Sequence, residues 1–393
     1  MPKSMLMELL EKRSGAAVLR STSKPKMLSQ QVPVFPFLAI VGQAEMKLSL
    51  VLAVINPAVG GVLLIGPRGT GKTTAVRGLV DLMPPVERSL CPYGCEEEAA
   101  EIWGFDAICP DCAARMGRGE PLTGIDQMRL VELPLNARLE DVIGGVDERV
   151  AVEQRKIRIE RGILARAHRN LLYVDEVNLL GDVIVDAILD AAAQGRVTVR
   201  RGPLQILYRS EFILVGSMNP EEGPLRPQIQ DRFGLRVVVD GLSEPEKRLE
   251  VYRRVRAFRA HPNRLIAGLI EETVAFGDEI QRARERLPQV ELAGDAEQLA
   301  LHLVKELGIS SHRAEMSALE AARAYAAADD RDVATADDVA RVAPMALRQR
   351  RSTFIDEYFE AVHAEDDDIQ ALCERGVPGV AARSQVESEE DKP

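Results

Sequence analysis

The sequence predicts an α/β fold, in which a parallel five-stranded sheet with inserted β-hairpins is covered by helices and followed by an all-helical lid domain. Short apolar runs alternate with helical segments between about residues 37 and 239, which is typical of a parallel sheet between helices. The first run leads directly into a glycine-rich phosphate-binding motif. After Gly241 only helical periodicity continues, to about residue 362.

Five apolar runs are the predicted strands of the sheet. They lie at residues 62–65, 129–133, 171–174, 212–216 and 235–239. Residues 84–126 are rich in Pro, Gly and Cys and interrupt this pattern, so we interpret them as an insertion between the first helix and the second strand. Beyond the last strand, Ser243 and Glu246 have the spacing of a capping box, which predicts where the first lid helix begins.

Composition limits the classes of function. The net charge of -11, from 50 basic and 61 acidic residues, argues against a general nucleic-acid binder, because phosphate contacts need a basic face. The longest uncharged stretch, residues 48–66, is broken by Asn56-Pro57 and Gly60-Gly61, so no membrane span is predicted. The N-terminus lacks the pattern of a secretion signal, and we expect a cytoplasmic location.

A phosphate-binding loop follows the first predicted strand. Residues 66–73 read GPRGTGKT and fit G-x-x-x-x-G-K-[ST] between a strand and a helix. The glycines let backbone N–H groups curl around phosphates, Lys72 can reach the terminal phosphates, and Thr73 offers a hydroxyl to Mg²⁺. The candidate nucleotide-binding residues are Gly66, Pro67, Arg68, Gly69, Thr70, Gly71, Lys72, Thr73 and Thr74.

Polar residues end two later strands of the predicted sheet. Residues 171–176 read LLYVDE, an apolar strand followed by two carboxylates. Asp175 is placed to hold Mg²⁺ through water, and Glu176 to orient and polarise an attacking water. Asn219 follows the next strand and should reach the same rim as the phosphate loop. Taken together, these motifs indicate ATP or GTP hydrolysis.

The order of these motifs resembles the AAA+ superfamily, with Walker A, Walker B and a sensor-1 asparagine. Longer segments resemble the ATPase subunit of magnesium chelatase in particular. They are 133–137 (LPLNA), 174–180 (VDEVNLL), 216–223 (GSMNPEEG) and 225–234 (LRPQIQDRFG). This resemblance covers about residues 34–365.

The resemblance implies a ring, expected to be a hexamer, with nucleotide between neighbouring subunits. Such a ring works with a midsized AAA+-like subunit and a large porphyrin-binding subunit to insert Mg²⁺ into protoporphyrin IX. Two alternatives remain open: a cobalt-chelatase or MoxR-like remodeller of a metalloprotein, and a nucleic-acid remodelling ring. The acidic balance and the 4% content of aromatic residues argue against the last, because few bases could stack.

The resemblance also assigns residues beyond the Walker motifs. Arg232, after Asp231, matches an arginine that reaches the neighbour's γ-phosphate; Arg226 competes for this role, and pairing of Arg232 with a local carboxylate is the alternative. Arg313 matches the sensor-2 arginine, although without the family it reads as a surface residue. Hairpins are implied at residues 149–159 and 197–208.

The domains follow from these assignments. We predict a disordered arm at 1–33, an AAA+ ATPase domain at 34–241 containing the Cys-rich insertion 84–126, a helical lid domain at 242–365, and an acidic tail at 366–393. The arm carries six Lys/Arg against two Glu, and a targeting segment is its alternative interpretation.

Four of the five cysteines lie in the insertion as Cys-x3-Cys-x13-Cys-x2-Cys. Cys91, Cys95, Cys109 and Cys112 can enclose a structural Zn²⁺ tetrahedrally, and a cytosolic location disfavours disulfides. A redox-regulated thiol pair and unrelated thiols on a variable loop are the alternatives. The full cysteine set departs from many photosynthetic members of the family, so the sequence leaves the pathway open.

Overall fold

The computed structural model describes residues 33–91, 94–105, 108–146, 159–201, 204–351 and 353–375. The described residues up to Arg348 pack as one unit, and those from Gln349 onward form a second. Among the described residues, no helix is long and apolar enough to cross a membrane.

The strands, in chain order, are β1 (Val62–Ile65), β2 (Pro85–Ser89), β3 (Thr123–Gln127), β4 (Leu130–Leu133), β5 (Gly144–Val146), β6 (Ile159–Arg161), β7 (Leu171–Val174), β8 (Arg196–Arg201), β9 (Leu204–Arg209), β10 (Ile213–Met218), β11 (Leu235–Val238), β12 (Glu291–Leu292) and β13 (Val333–Ala334). The helices are α1 (Ala44–Ile55), α2 (Lys72–Gly78), α3 (Glu97–Trp103), α4 (Pro110–Gly117), α5 (Leu139–Ile143), α6 (Ile163–Ala167), α7 (Asp182–Gln194), α8 (Pro227–Gln230), α9 (Pro245–Ala260), α10 (Pro262–Arg286), α11 (Gly294–Glu306), α12 (Arg313–Ala328), α13 (Ala336–Leu347) and α14 (Thr353–Arg375).

The central sheet has five strands in the order β11-β1-β10-β7-β4, and every neighbouring pair is parallel. This confirms the predicted sheet, with small shifts: β4 begins at Leu130 rather than at residue 129, β10 spans Ile213–Met218 rather than 212–216, and β11 ends at Val238. Because the strands are parallel, the residues after β1, β7 and β10 meet at one edge of the sheet.

Both faces of the sheet are buried, which explains its continuously apolar strands. Val62 and Leu64 pack in the core shared with α1 and the lid helices α10 to α13. Leu63 and Ile65 point to the opposite face and pack in the core built with α6 and α7. The lid therefore covers one face of the sheet within the same packed unit, and a domain boundary at residues 241/242 stays a prediction.

One arginine joins the sheet to the end of the lid. Arg236 in β11 is 1% exposed and donates hydrogen bonds to the carbonyl oxygens of Gln230 and Arg348, both at 3.0 Å. Arg348 returns a hydrogen bond to the Arg236 carbonyl at 3.1 Å and pairs with Glu45 of α1 at 2.5 Å. The residue after α13 is therefore held directly against the sheet.

The insertion and one of the two predicted hairpins are present. Strands β2 and β3 form an antiparallel ribbon that carries α3 and α4. Strands β8 and β9 pair from Arg196–Arg209 to Arg201–Leu204, which confirms the hairpin predicted at 197–208. The hairpin predicted at 149–159 lies outside the described residues except for Ile159, at the start of β6, which pairs antiparallel with β5.

Two expectations about the helical part were wrong. No capping box forms at Ser243: α9 begins at Pro245, since proline has its φ preset for a first helical turn and needs no N–H partner there. The short pair β12–β13 interrupts the all-helical region. The acidic tail at 366–393 stays a prediction, and its described residues continue α14 to Arg375. The predicted arm lies outside the described residues, apart from Pro33.

Candidate nucleotide site and its flank

The phosphate loop is fixed by tight backbone packing at the end of β1. The Gly66 N–H donates to the Met218 carbonyl of β10 at 3.1 Å, and a Cβ on Gly66 would lie 2.2 Å from the Val239 carbonyl oxygen. Gly69 and Gly71 have left-handed φ values of 81° and 90°. Only glycine meets these demands without strain, and α2 then begins at Lys72.

Lys72 lies inside the loop. Its Nζ donates to the carbonyl oxygens of Gly66 at 2.6 Å and Pro67 at 2.9 Å. Burial lowers the pKa of Lys72, while the nearby carboxylates of Asp175, Glu176 and Glu222 oppose that change. The ammonium group is thus placed between the loop and the carboxylate edge of the sheet, where it can meet an anionic ligand.

Asp175 is held by three hydroxyl groups. Its Oδ1 accepts hydrogen bonds from Tyr173 Oη at 2.9 Å and from Ser217 Oγ. Its Oδ2 lies 3.3 Å from Thr73 Oγ1. Burial raises the pKa of Tyr173, so the phenol stays a proton donor. The pair formed by Asp175 Oδ2 and Thr73 Oγ1 offers the hard oxygen ligands that Mg²⁺ prefers.

Glu176 follows in a left-handed backbone conformation with φ 50°, which is uncommon for a residue other than glycine. Its N–H donates to Ser217 Oγ at 3.1 Å, and its Oε1 lies 3.1 Å from Arg68 Nη2. Arg68 also pairs with Glu222. The turn aims the carboxylate toward the phosphate loop, and Arg68 joins that loop to the two carboxylates.

Asn219 lies where β10 ends, between β1 and β7 in the sheet. It is 3% exposed, its Oδ1 accepts the Glu221 N–H at 3.3 Å, and its Nδ2 lies 3.4 Å from Glu221 Oε2. The structure therefore places Asn219 on the rim that the sequence predicted, with its side chain bound to the turn that follows.

Two arginines lie on the flank beside α7. Arg232 Nη1 is 2.8 Å from Asp190 Oδ1 and 3.9 Å from Asp186 Oδ1, and Arg226 Nη2 is 2.6 Å from Asp182 Oδ1. Within one chain Arg232 thus makes the local pairing that was the alternative to a role in trans. Arg226 precedes α8 as its N-cap residue.

Asp231 joins this flank to the lid. Its Oδ2 accepts a hydrogen bond from Ser311 Oγ at 2.7 Å and lies 3.3 Å from Arg313 Nη1, while Oδ1 lies 3.5 Å from Arg236 Nη2. Arg313 is the first residue of α12, and its guanidinium binds the carboxylate of Asp231. The predicted sensor-2 arginine is therefore tied to the segment that carries Arg232.

Known proteins are similar to this chain over most of its length. A model of the AAA lid domain matches residues 297–372, and a model of magnesium chelatase, subunit ChlI, matches residues 150–232. The magnesium-chelatase subunit ChlI homolog of Methanocaldococcus jannaschii is 44% identical over 324 residues, or 82% of this chain and 87% of the relative. The chain belongs to the magnesium chelatase ChlI family. The subunit ChlI of Chlorella vulgaris is 40% identical over 82% of this chain and 90% of its own.

Structural comparison agrees with this fold. A crystal structure of a protein from Cytophaga hutchinsonii has a TM-score of 0.51 and 20% identity, and it covers 79% of this chain and 83% of its own. At this identity the likeness shows the fold alone. The α/β AAA+ fold with a helical lid, predicted from the motifs, is confirmed by the sheet, the lid match and the family relatives.

Three side chains of this ChlI-family chain were not predicted from the sequence. They lie at the nucleotide edge, which is the edge of the sheet beside the phosphate loop. Tyr173 and Ser217 position Asp175, and Glu222 shares Arg68 with Glu176. A signal for two of them was available: each is a polar residue inside an otherwise apolar buried strand, and such a residue needs a hydrogen-bond partner. Glu222 carried no such signal, because it follows a strand in a turn.

The four cysteines of the insertion come together as predicted. All of their sulfurs lie within 4.8 Å of one another, with Cys91 Sγ at 3.6 Å from Cys109 Sγ and at 3.8 Å from Cys95 Sγ. Burial raises the pKa of Cys95 to about 11. Cys373 is exposed in α14, outside this group.

Proposed function

We propose that this chain is the ATP-hydrolysing motor subunit of a magnesium chelatase, which drives insertion of Mg²⁺ into protoporphyrin IX by partner subunits. The observation that carries the proposal is the carboxylate edge itself: Thr73, Asp175 and Glu176 converge beside the phosphate loop. The names of the two relatives, magnesium-chelatase subunit ChlI and its homolog, support the choice of metal and pathway.

Each group at the edge has a task in this proposal. Backbone N–H groups of residues 68–74 and the Lys72 ammonium bind the phosphates, and Glu176 accepts a hydrogen bond from the attacking water. Thr73 and Asp175 would hold Mg²⁺, which would supply positive charge to the phosphates. Tyr173 and Ser217 keep Asp175 oriented, and Asn219 completes the rim. The cofactors are ATP with Mg²⁺ and, at the four cysteines, a structural Zn²⁺.

The partners in this proposal are copies of the chain in a ring, taken as a hexamer, together with a midsized AAA+-like subunit and a large porphyrin-binding subunit. Arg232 acts on the nucleotide of a neighbour, and Arg313 senses it from the lid. The position of Arg232 supports this: it lies on the α7 flank, is one-third exposed and is held by carboxylates that are about half exposed.

A single substitution tests the hydrolytic part. We expect Glu176→Gln to bind Mg-ATP normally and to hydrolyse it at least ~10²-fold more slowly, because the group that polarises water is lost. Glu222→Gln is the matched control, since it removes the other carboxylate bound to Arg68 and leaves Glu176 in place. Normal turnover by Glu176→Gln, or equal loss in both variants, would contradict the assignment.

Reconstitution tests the biological part. The chain is mixed with candidate midsized and large chelatase subunits, ATP and Mg²⁺, and metal insertion is followed by porphyrin fluorescence. We expect Mg-porphyrin only when all three subunits and ATP are present, and none with Glu176→Gln. Insertion of cobalt instead, ATPase stimulation by a different metalloprotein, or ATPase stimulation by DNA would each contradict the magnesium-chelatase assignment. None of these results would contradict the assignment of ATP hydrolysis to this chain.

A further inference from the structure

The four cysteines have the spacing of a tetrahedral metal centre. A Zn²⁺ ion bound by four thiolates at about 2.3 Å holds its sulfurs about 3.8 Å apart. The distances from Cys91 Sγ to Cys109 Sγ and Cys95 Sγ, 3.6 Å and 3.8 Å, match that edge length, and none of the four cysteines is in a disulfide. The backbone between Cys91 and Cys95 turns at Gly94, which has φ 64°, and this turn brings the two cysteines together.

Two features of the insertion favour anionic sulfur. The Cys109 N–H donates to Cys95 Sγ at 3.3 Å, which is the kind of backbone contact that stabilises a metal-bound thiolate. Cys109 is also the N-cap residue of the eight-residue helix α4, and Cys112 lies in its first turn. Negative charge at a helix N-terminus is favourable because of the helix dipole.

Cysteines make up much of the buried cluster of the insertion. Among the described side chains of the insertion, this cluster consists of Cys95, Ala100, Ile108, Cys112 and Leu122, so two of its five members are cysteines. A metal ion bound to the four thiolates would add stabilisation to this small cluster.

A cation from outside the insertion faces the cluster. Arg161, the last residue of β6, lies so close to Gly94 that a Cβ there would be 2.4 Å from Arg161 Nη1. The same guanidinium stacks on the Tyr208 ring of β9 at 5.7 Å. A centre with four thiolates and one Zn²⁺ carries a net charge of about -2, which a nearby, partly buried arginine offsets.

A second contact joins the insertion to β9. Glu96, the residue after Cys95, is 6% exposed and binds His168 Nε2 at 3.0 Å. Because His168 Nδ1 accepts the Glu211 N–H at 3.1 Å, its Nε2 carries the proton and donates to Glu96. Arg209, the last residue of β9, lies 3.6 Å from Glu96 and 2.8 Å from Glu98.

We propose that Cys91, Cys95, Cys109 and Cys112 bind one structural Zn²⁺, and that this centre, through Arg161 and Glu96, fixes the base of the β8–β9 hairpin. The metal thereby sets the position of a hairpin that leads directly into β10, the strand that carries Asn219. An adjacent cavity of about 570 Å³, lined by Cys91, Gly94, Arg161 and His168, gives a path for the ion. The proposal does not depend on the identity of the chelated metal or on ATP hydrolysis.

Metal content tests the first half. The full chain is purified under reducing conditions without chelator, offered Zn²⁺, desalted and measured by elemental analysis. We expect about one zinc per chain, lost in Cys109→Ser and Cys112→Ser and retained in the control Cys373→Ser. The proposal fails if the reduced chain takes up no zinc, if iron occupies the site instead, or if Cys373→Ser loses as much zinc as Cys109→Ser.

Hydrogen exchange tests the second half. Removing zinc from the full chain should speed amide exchange in residues 85–127 and also in β8 and β9, with β1 and β7 unchanged. Arg161→Gln should retain its zinc but release it faster to a chelator, whereas Arg118→Gln, an exposed arginine of the insertion paired with Glu120, should release it at the wild-type rate. Exchange that rises only within the insertion, or equal release rates for the two arginine variants, would overturn the link to the hairpin.

Discussion

The nucleotide edge and the α7 flank both present charged side chains, but they hold them differently. At the edge, Asp175 and Glu176 extend from a strand buried on both faces and are bound by hydroxyls and by Arg68 of the same chain. On the flank, Arg226 and Arg232 rest on aspartates of a single helix that are half exposed or more. Exposed pairs of this kind contribute about 0–1 kcal/mol each.

The difference suggests that the two regions have different roles in catalysis. The edge is organised before any ligand arrives, so its geometry costs little when the reaction begins. Arg232 can leave its aspartates at small cost and can therefore bind a stronger anion on a neighbouring subunit. If this comparison is right, substitutions at the edge should act within one chain, whereas substitution of Arg232 on the flank should act between chains.

The largest effect is expected at the edge. Lys72→Ala removes the ammonium group between the loop and the carboxylates, so we expect nucleotide affinity to fall by ~10- to 100-fold and ATPase activity to be nearly lost. Titration with a fluorescent ATP analogue and a phosphate-release assay measure the two effects. Binding at wild-type affinity would show that Lys72 does not reach the phosphates.

The next largest effect separates the two regions. Arg232→Ala should lower the ATPase rate by ~10³-fold while leaving nucleotide binding in place, because a guanidinium offsets charge on the transferred phosphoryl group. When Arg232→Ala and Lys72→Ala chains are mixed, an intact Arg232 can face an intact phosphate loop, and part of the activity should return.

Mixed rings have to be demonstrated for that experiment, for example by mass spectrometry of differently tagged chains. Arg226→Ala serves as the matched control, since Arg226 also pairs with aspartates of α7, shares Asp186 with Arg232, and is not expected to reach the phosphate. If mixed rings form and no activity returns, or if Arg226→Ala loses as much activity, the assignment of Arg232 in trans is wrong.

The smallest effect is expected at Arg68. Its side chain is 69% exposed although it bridges Glu176 and Glu222. We expect Arg68→Ala to change the ATPase rate by less than about fivefold, because an exposed ion pair contributes at most about 1 kcal/mol. Steady-state kinetics give the ratio. A loss as large as that of Glu176→Gln would place Arg68 in the chemistry and make the edge as dependent on exposed charge as the flank.

Sequence predicted the parts of the molecule in which local pattern and tertiary role agree. The strand before Gly66 and the strand before Asp175 are apolar, short and followed by residues with a clear chemical use, so both were found with their bounds. The four cysteines were found because their spacing itself describes a metal site. In these segments the residues that determine the structure also form a pattern that can be recognised in the sequence.

The missed features depend on partners distant in the chain. The contacts of Asp231 with Ser311 and Arg313 join residues 80 and 82 positions apart, and no local pattern in the sequence indicated them. Ser243 was expected to cap a helix, but the proline two residues later determined the start. A single sequence does not reveal which of two local signals prevails, or which distant side chain satisfies a charge.

The buried guanidinium of Arg236 also affects the order in which the protein can fold. One of its partner carbonyls, at Arg348, lies 112 residues further along the chain. During synthesis Gln230 and Asp231, its nearer partners, are already present when β11 emerges, whereas the carbonyl that completes its hydrogen bonding is made much later. We therefore expect the sheet to reach its final state only after Arg348 has been synthesised, late in the production of the chain.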